Sequence, residues 1–350
     1  MGIGSGSSYS SSHQWIGCHF HYHASQDLLL QDLLVPWVRA HLAAGTIDRF
    51  FFIRYALGGP HVRLRCRLEP GADAGEILSA ADIAAQRFFA RHPSRQPWED
   101  ELVRRRNRAI LANDPAEHDD SVYPDNSFRA VPFQPETERY GGVELLAVSL
   151  ELFTLSSVAA LETLAGCGAS RGLQLNAFLR HLGRQARGSA ADGEELLDLL
   201  AGLSRPAQNF FPRVVERADS VFSNQPEVFA LLLADALEGG AGQAELADGA
   251  AWLRRCLAAI DEAARKRVLT SHMHMSANRL GLSNAEEAYL YRLLHRAGEE
   301  LRNVRGDLLE RLAAAFAGRA ARTREAEEEL ATVVSSALER FTQVPSEIAQ

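Results

Sequence analysis

The sequence is short of cysteine, lysine and long apolar runs. Its four cysteines, Cys18, Cys66, Cys167 and Cys256, are far apart in 350 residues, and no Cys-x-x-Cys pair occurs. That spacing supports neither a zinc site nor a disulfide framework. Reduced thiols fit a cytoplasmic chain. Of 37 basic residues only Lys266 is lysine. The others are arginines, whose planar forks grip a carboxylate at two points. Acidic residues outnumber them, leaving a net charge of −8. Such a chain gains little from neutralising phosphates, so no direct nucleic-acid binding is expected. No uninterrupted run of about 18 apolar residues occurs, and no membrane span is expected. The start, Met1 to Ser12, is rich in Gly and Ser and lacks the basic and apolar regions of a signal peptide. Residues 1–14 read as a flexible leader.

What is present divides in two. From Trp15 to Ala24 the residues alternate: Trp15, Gly17, His19, His21 and His23 share one face, and Ile16, Cys18, Phe20 and Tyr22 the other. A helix is predicted from Ser25, its N-cap, to Ala44, kinked at Pro36 and stopped by Gly45. A strand over Asp48–Tyr55 follows, then a Gly58-Gly59-Pro60 turn and a strand over His61–Leu68. The second strand puts His61, Arg63, Arg65 and Arg67 in one row and Val62, Leu64, Cys66 and Leu68 in the other. Helices over Asp73–Arg91 and Trp98–Leu111, a long loop over Asn113–Pro135 and a short strand within Phe128–Gln134 complete this part.

The rest reads as helices: Val143–Ala165, Gly172–Ala186, Gly193–Leu203, Phe210–Ala236, Gln243–Asp261, Ala264–Leu280, Ala285–Arg302, Arg305–Phe316 and a Glu-rich, solvated Arg322–Phe341. The fold class is therefore α+β. A mixed or antiparallel sheet with flanking helices (15–142) precedes a largely helical half (143–345), together one domain.

Three clusters carry candidate chemistry. The arginine row after the Gly58-Gly59 turn, with Arg54 and His61, is an anion site or an ordinary wet face. The run Phe133 to Gly142, containing Glu136, Arg139 and Tyr140, either positions an anion at a helix start or is a surface ion pair at a junction. Ser271 to Leu280 contains His272, His274, Asn278 and Arg279. Its histidines are two apart, so on a helix they point different ways, and the i, i+4 pair of a zinc helix is absent. His274 suits proton transfer, unless it is a structural histidine. His19, His21 and His23 could share a metal, but no acidic or cysteine companion is placed, so no metal site is expected.

Taken in order, these segments resemble the stand-alone thiopeptide-type bacteriocin biosynthesis proteins and are similar to the C-terminal, glutamate-eliminating domain of class I lantibiotic dehydratases. The likeness runs from Trp15 to Tyr291. It rests on Trp15–Tyr22, Phe50–Tyr55 with Gly59–Arg65, Pro135–Gly142, Glu151–Ser157 and His274–Leu280. The resemblance implies that Arg63, Arg65, Arg139 and His274 are catalytic. Arg54, His61, Asn278, Arg279, Ser283, Tyr289 and Glu101 are added as substrate-binding candidates. It further implies a precursor peptide (leader plus core) as substrate, no cofactor, and a separate tRNA-dependent glutamylation protein as partner. A homodimer is compatible with it. Two other functions stay open. One is a pyridine synthase joining two dehydroalanines by aza-cycloaddition with loss of the leader. The other is a non-catalytic subunit that binds the precursor peptide. The stretch Ser94–Asn126 is longer than expected for a fused elimination domain and leaves the reaction open.

Overall fold

Stretches in which apolar residues recur at every second position form strands in the computed structural model, which describes residues 14–95, 97–112, 120–167, 170–238, 244–317 and 334–343. Of the expected leader, residues 1–14, residues 1–13 lie outside the described residues. Strands β1 (Trp15–His21), β2 (Ile47–Tyr55), β3 (His61–Leu68) and β4 (Ser127–Ala130) form one sheet in the order β2-β3-β1-β4, and every pairing is antiparallel. β1 ends earlier than its alternation predicts. Tyr22 N donates to Pro60 O, and the chain turns away, taking His23 off the face it was expected to share. β4 stops at Ala130 because Pro132 and Pro135 have no N–H to extend a ladder.

One face of the sheet is apolar. Ile16, Cys18 and Phe20 of β1, Phe50 and Phe52 of β2, and Val62, Leu64 and Cys66 of β3 are buried in the main core. Helices α1 (Gln26–Leu29), α2 (Val35–Ala43) and α3 (Ala74–Arg91) contribute to it. Ser25 caps α1 as expected, its hydroxyl accepting from Leu28 N. The kink expected at Pro36 is instead a π-helical turn, Leu30–Leu34, just before it. A proline ring crowds the carbonyl four residues back, and the wider turn, closed by Val35 N to Leu30 O, relieves that. Asp73 caps α3 through Glu76 N. Helix α4 (Asp100–Leu111) is the second flanking helix.

The helical half comprises α5 (Val143–Gly166), α6 (Arg171–Ser189), α7 (Gly193–Phe210), α8 (Pro212–Asn224), α9 (Pro226–Glu238), α10 (Ala244–Cys256), α11 (Glu262–Arg279) and α12 (Asn284–Ala317). The expected helix over Phe210–Ala236 is two, because Pro212 and Pro226 each open one; in a first turn the missing N–H costs nothing. The two helices expected between Ala285 and Phe316 are one, α12. α5 is long and apolar enough to cross a membrane, with mean hydropathy 1.6 over its best window, but 61% of that window is buried inside the protein. Its hydroxyls serve the interior: Ser157 Oγ accepts from Phe52 N of β2 at 3.2 Å.

The expected solvated C-terminal helix is corrected where it is described. Residues 334–343 are helical and bury Val334, Ala337, Leu338 and Phe341. Phe341 stacks on Phe50 of β2 at 5.7 Å, and Arg49 of β2 reaches Ser335 Oγ at 3.3 Å. Glutamate content suggested solvent, but the apolar residues at spacing three and four point inward. Phe341→Ala is expected to cost about 3–5 kcal/mol in a denaturant titration, against less than about 0.5 kcal/mol for the exposed Glu339→Ala. Equal midpoints for the two would mean that this helix is not docked.

Candidate functional site

The other sheet face is polar yet covered. Residues opposite each other on antiparallel strands share a face. Register gives the rows Tyr55–His61–His21–Ser127, Ile53–Arg63–His19–Arg129 and Phe51–Arg65–Gly17. The arginine row is not a wet face: His61 is 1% exposed and Arg65 8%. Above one end lies a cluster of Phe51, Tyr140 and Phe153 with Trp15, Phe133 and Met275. Gly17 makes room beneath it. A Cβ there would sit 2.4 Å from Val131 O and 3.0 Å from Arg65 Nη1. At the far end Arg67 is neutralised by Asp48 at 2.5 Å and Glu151 at 3.4 Å, and Arg49 pairs with the same Glu151 at 2.7 Å. That network ties the sheet to α5.

Arg63 and Arg65 meet imidazoles. His61 Nδ1 is 2.8 Å from Gly59 O, so that nitrogen carries the proton; Nε2 then accepts from Arg63 Nε at 3.0 Å. His19 Nε2 accepts from Arg65 Nη2 at 3.0 Å. Both rings are neutral in this geometry. Burial, then the charges of Arg65, Arg63 and Arg129, hold the His19 pKa down at about 2. Burial, then Arg129, holds His21 at about 3, and His61 lies well below the usual imidazole range. The Arg63 fork also lies 3.8 Å over the Tyr55 ring.

The histidine helix borders this face. Asn278 Oδ1 accepts from Arg54 N, and its Nδ2 donates to Arg54 O, both at 2.8 Å. Arg54 itself projects from the apolar side of β2, to Asp27 at 2.6 Å and Arg279 O at 3.1 Å. Arg279 is fully buried; its Nε donates to Ser157 Oγ at 3.0 Å, and burial lowers its pKa to about 9. These three clamp α11 to β2 and α5. One turn before Asn278, His274 stands at the rim with 41% of its side chain exposed, its Nδ1 bonded to both Glu287 oxygens at 2.8 and 3.0 Å. One turn earlier, Ser271 Oγ accepts from Arg139 Nε at 3.5 Å, while Arg139 pairs with Glu136 at 3.0 Å. His272 turns inward to Ser149 Oγ at 3.1 Å.

Other candidates sit elsewhere. Glu101 is exposed and pairs with Arg108. Ser283 is an exposed cap, bonded to Glu286. Tyr289 is two residues from Glu287, about 200° around α12, beside Arg217 rather than His274. Three residues of the site were not anticipated: Glu287, Tyr123 and Arg129. Glu287 sits one turn before Tyr291 on α12, and its contact with His274 exists only once α11 and α12 are folded together. Tyr123 belongs to the Ser94–Asn126 stretch, of which residues 96 and 113–119 lie outside the described residues. Asn107 and Tyr123 fasten that stretch to Gly58: Gly58 N donates to Asn107 Oδ1 at 2.8 Å, and Tyr123 N donates to Gly58 O at 2.9 Å. Gly58 needs its positive φ of 83° for this, and a Cβ there would strike the Tyr123 ring at 2.5 Å. The Tyr123 ring then lies 5.0 Å from His21 and 3.6 Å from the Arg129 guanidinium.

Four buried imidazoles, His19, His21, His181 and His272, have pKas of about 2 to 3. In the unfolded chain they titrate near ~6.5. Above that both states are neutral and the rings contribute no pH dependence. Below it the unfolded chain takes protons that the folded one refuses, and stability falls by up to about 1.4 kcal/mol per ring per pH unit. Urea midpoints should be flat from about pH 7 to 8 and drop steeply toward about pH 5. His181→Gln should make that drop shallower. An acid limb identical in the variant would contradict the assignment.

The family described as lantibiotic biosynthesis dehydratase, C-terminal, matches residues 15–297. No curated protein matches at a significant level. Among solved structures, the fold is similar to the pyridine synthase TbtD from thiomuracin biosynthesis, with TM-score 0.63, 17% identity and coverage of 84% of this chain and 99% of that one. It is also similar to the tRNA-dependent lantibiotic dehydratase MibB from Microbispora sp. 107891, with TM-score 0.52, 23% identity and 86% of this chain, but only 29% of that one. TsrL matches with TM-score 0.51 and 16% identity over 89% of this chain and 99% of that one. At these identities the likeness is one of fold.

Proposed function

The chain belongs to the lantibiotic dehydratase C-terminal family, and from that membership we propose that it eliminates glutamate from glutamylated Ser or Thr in a ribosomally made precursor peptide. The observation that carries this reading is the His274–Glu287 pair at the rim of a cationic sheet face. Glu287 accepts the Nδ1 proton of His274, which leaves Nε2 with a lone pair for a substrate proton. His274 removes the α-proton of the modified residue. The electron pair forms the Cα=Cβ double bond, the Cβ–O bond breaks, and glutamate leaves as a carboxylate. The product is dehydroalanine or dehydrobutyrine. Charge builds on the enolate-like carbonyl and on the departing carboxylate, where oriented guanidinium groups act more strongly than water would. Arg63, Arg65 and Arg139 supply them. The leaving group arrives with the substrate, so the step calls on no cofactor. The glutamate itself would be installed by a tRNA-dependent activity; the chain spans 29% of the length of the tRNA-dependent dehydratase MibB.

A second reading has one observation in its favour. The chain aligns with nearly the full length of the pyridine synthase TbtD. In that case the same face would hold two dehydroalanines for aza-cycloaddition, a reaction governed by positioning.

The deciding experiment is mass spectrometry of a precursor peptide carrying glutamyl-Ser, incubated with this protein alone. Glutamate release with dehydroalanine formation is expected. His274→Ala should slow it by about 10²–10⁴. Glu287→Gln should slow it by at least about 10-fold, because the carboxylate orients the base. Release of leader with macrocycle formation from an already dehydrated peptide, and no glutamate release, would replace elimination by cycloaddition. Peptide binding without any mass change would make the chain a presenting subunit.

A further inference from the structure

Among the described residues the largest fully buried side chain is a cation, Arg279. The arginines of the adjoining strand are matched by carboxylates, Arg49 by Glu151 and Arg54 by Asp27. Arg279 is not. Its Nε donates to Ser157 Oγ at 3.0 Å, and neither Nη1 nor Nη2 has a partner among the described residues. Burial brings its pKa down only to about 9, so the guanidinium is charged at neutral pH. The Phe153 ring, 5.1 Å away, offers π electrons but no countercharge. A charge taken out of water and left unpaired is among the costliest features of a fold.

A second unmet group lies on the same helix face. Side chains of an α-helix tilt toward its N-terminus, so Arg279 reaches back over Ser276, one turn earlier on α11. Ser276 is fully buried, and its Oγ has no partner among the described residues. Around these two stand Phe153 and Ser157 of α5, His272 of α11 and His181 of α6; the charge of Arg279 bears on both histidines. None of the neighbours supplies a negative charge. Burial, then positive neighbours, holds both imidazoles at about 3, so they are neutral. The one acidic group whose charge bears on Arg279 is the Tyr140 phenol, and burial pushes that up to about 12, so it too is neutral. A compartment with one fixed positive charge and several unmet donors lacks an anion.

We propose that Arg279 and Ser276 bind one small monovalent anion of the chloride class between α5, α6 and α11. The outer N–H groups of the guanidinium and the Ser276 hydroxyl donate to it. Water could satisfy those donors but would leave the charge unbalanced. The side chain of Arg279 has no solvent-exposed surface, so a peptide or amino-acid carboxylate does not reach it, whereas a single ion enters through local opening. The ion would neutralise the clamp that joins α11 to α5 and β2, on the helix that also carries His274. The site lies apart from the arginine row of β3 and rests on no part of the elimination reading.

The test uses the full chain purified without halide and melted in sodium gluconate, chloride or bromide at one ionic strength. A ligand of the folded state alone raises the melting temperature with its concentration. Chloride and bromide should raise it by at least about 1–2 °C over gluconate, with a saturating dependence. Arg279→Met, which keeps the bulk and removes the charge, should melt alike in all three salts. Ser276→Ala changes little volume and covers the case in which Arg279→Met does not fold. It should raise the halide concentration for half the effect by at least ~10-fold, the loss of one hydrogen bond to a charged group. Crystals grown in bromide should show its anomalous signal in contact with Arg279. Equal melting in the three salts, a halide gain that survives in Arg279→Met or is unaltered in Ser276→Ala, or bromide only at surface arginines (an adventitious ion only) would overturn the site.

Discussion

A covered sheet face can hold several arginines only if the groups between them carry no positive charge. Here the separators are imidazoles, and burial, reinforced by the neighbouring arginine charges, keeps them neutral. Gly59 O takes the His61 Nδ1 proton, leaving Nε2 for Arg63. His19 Nε2 is committed to Arg65. Each ring is an acceptor for a guanidinium, so protonating it would both break that bond and add repulsion. The remaining features follow from this arrangement. Gly17 clears space for Arg65, the Gly58 turn fastens the inserted stretch, and Tyr123 closes the end of the stack.

The second requirement is that the histidine helix stay in register with the sheet. Ser157 of α5 receives both Phe52 N of β2 and Arg279 Nε of α11, so one hydroxyl joins three elements. Asn278 holds both polar backbone groups of Arg54. Arg54 and Asn278, which the motifs offered as substrate ligands, thereby set where β2 ends. The next residue, Tyr55, carries the Arg63 fork. His274 stands one turn from this clamp and is oriented from α12 by Glu287. The candidate groups come from strands, a rim helix and a neighbouring helix, while buried hydroxyl and amide bonds hold these elements together.

Much of this was legible beforehand, and the gaps have physical causes. Period-two alternation located β1 and β3 because each has one apolar face, and the apolar run Phe50–Ile53 ahead of the Gly58-Gly59 turn located β2. Asp73 and Ser25 marked helix starts because a short polar side chain at an N-cap meets a free backbone N–H. Helix boundaries near Pro212 and Pro226 were missed because proline is compatible with a helix start as well as a helix end. The C-terminal helix was misread because its charge suggested solvent, whereas Phe341 had a partner surface in Phe50 of β2 that only the fold creates. Of the candidate residues, Arg63, Arg65, His61, Arg139 and His274 gather around the sheet face and its rim. Glu101, Ser283 and Tyr289 do not, since closeness in sequence says nothing about which side of a helix faces the cleft.

By itself, then, the sequence determined the element types, the basic row on β3 and the placing of His274 on a helix, all of which are set by local periodicity and residue chemistry. Tertiary structure decided what those residues meet. Arg67 and Arg65 are two apart on one strand, yet the first is neutralised by Asp48 and Glu151 and the second bonds a neutral histidine. Glu287, Tyr123 and Arg129 join the site from segments distant along the chain. The reason is that a guanidinium's behaviour is set by the charges and dielectric within a few ångströms of it, and those neighbours are brought there by folding.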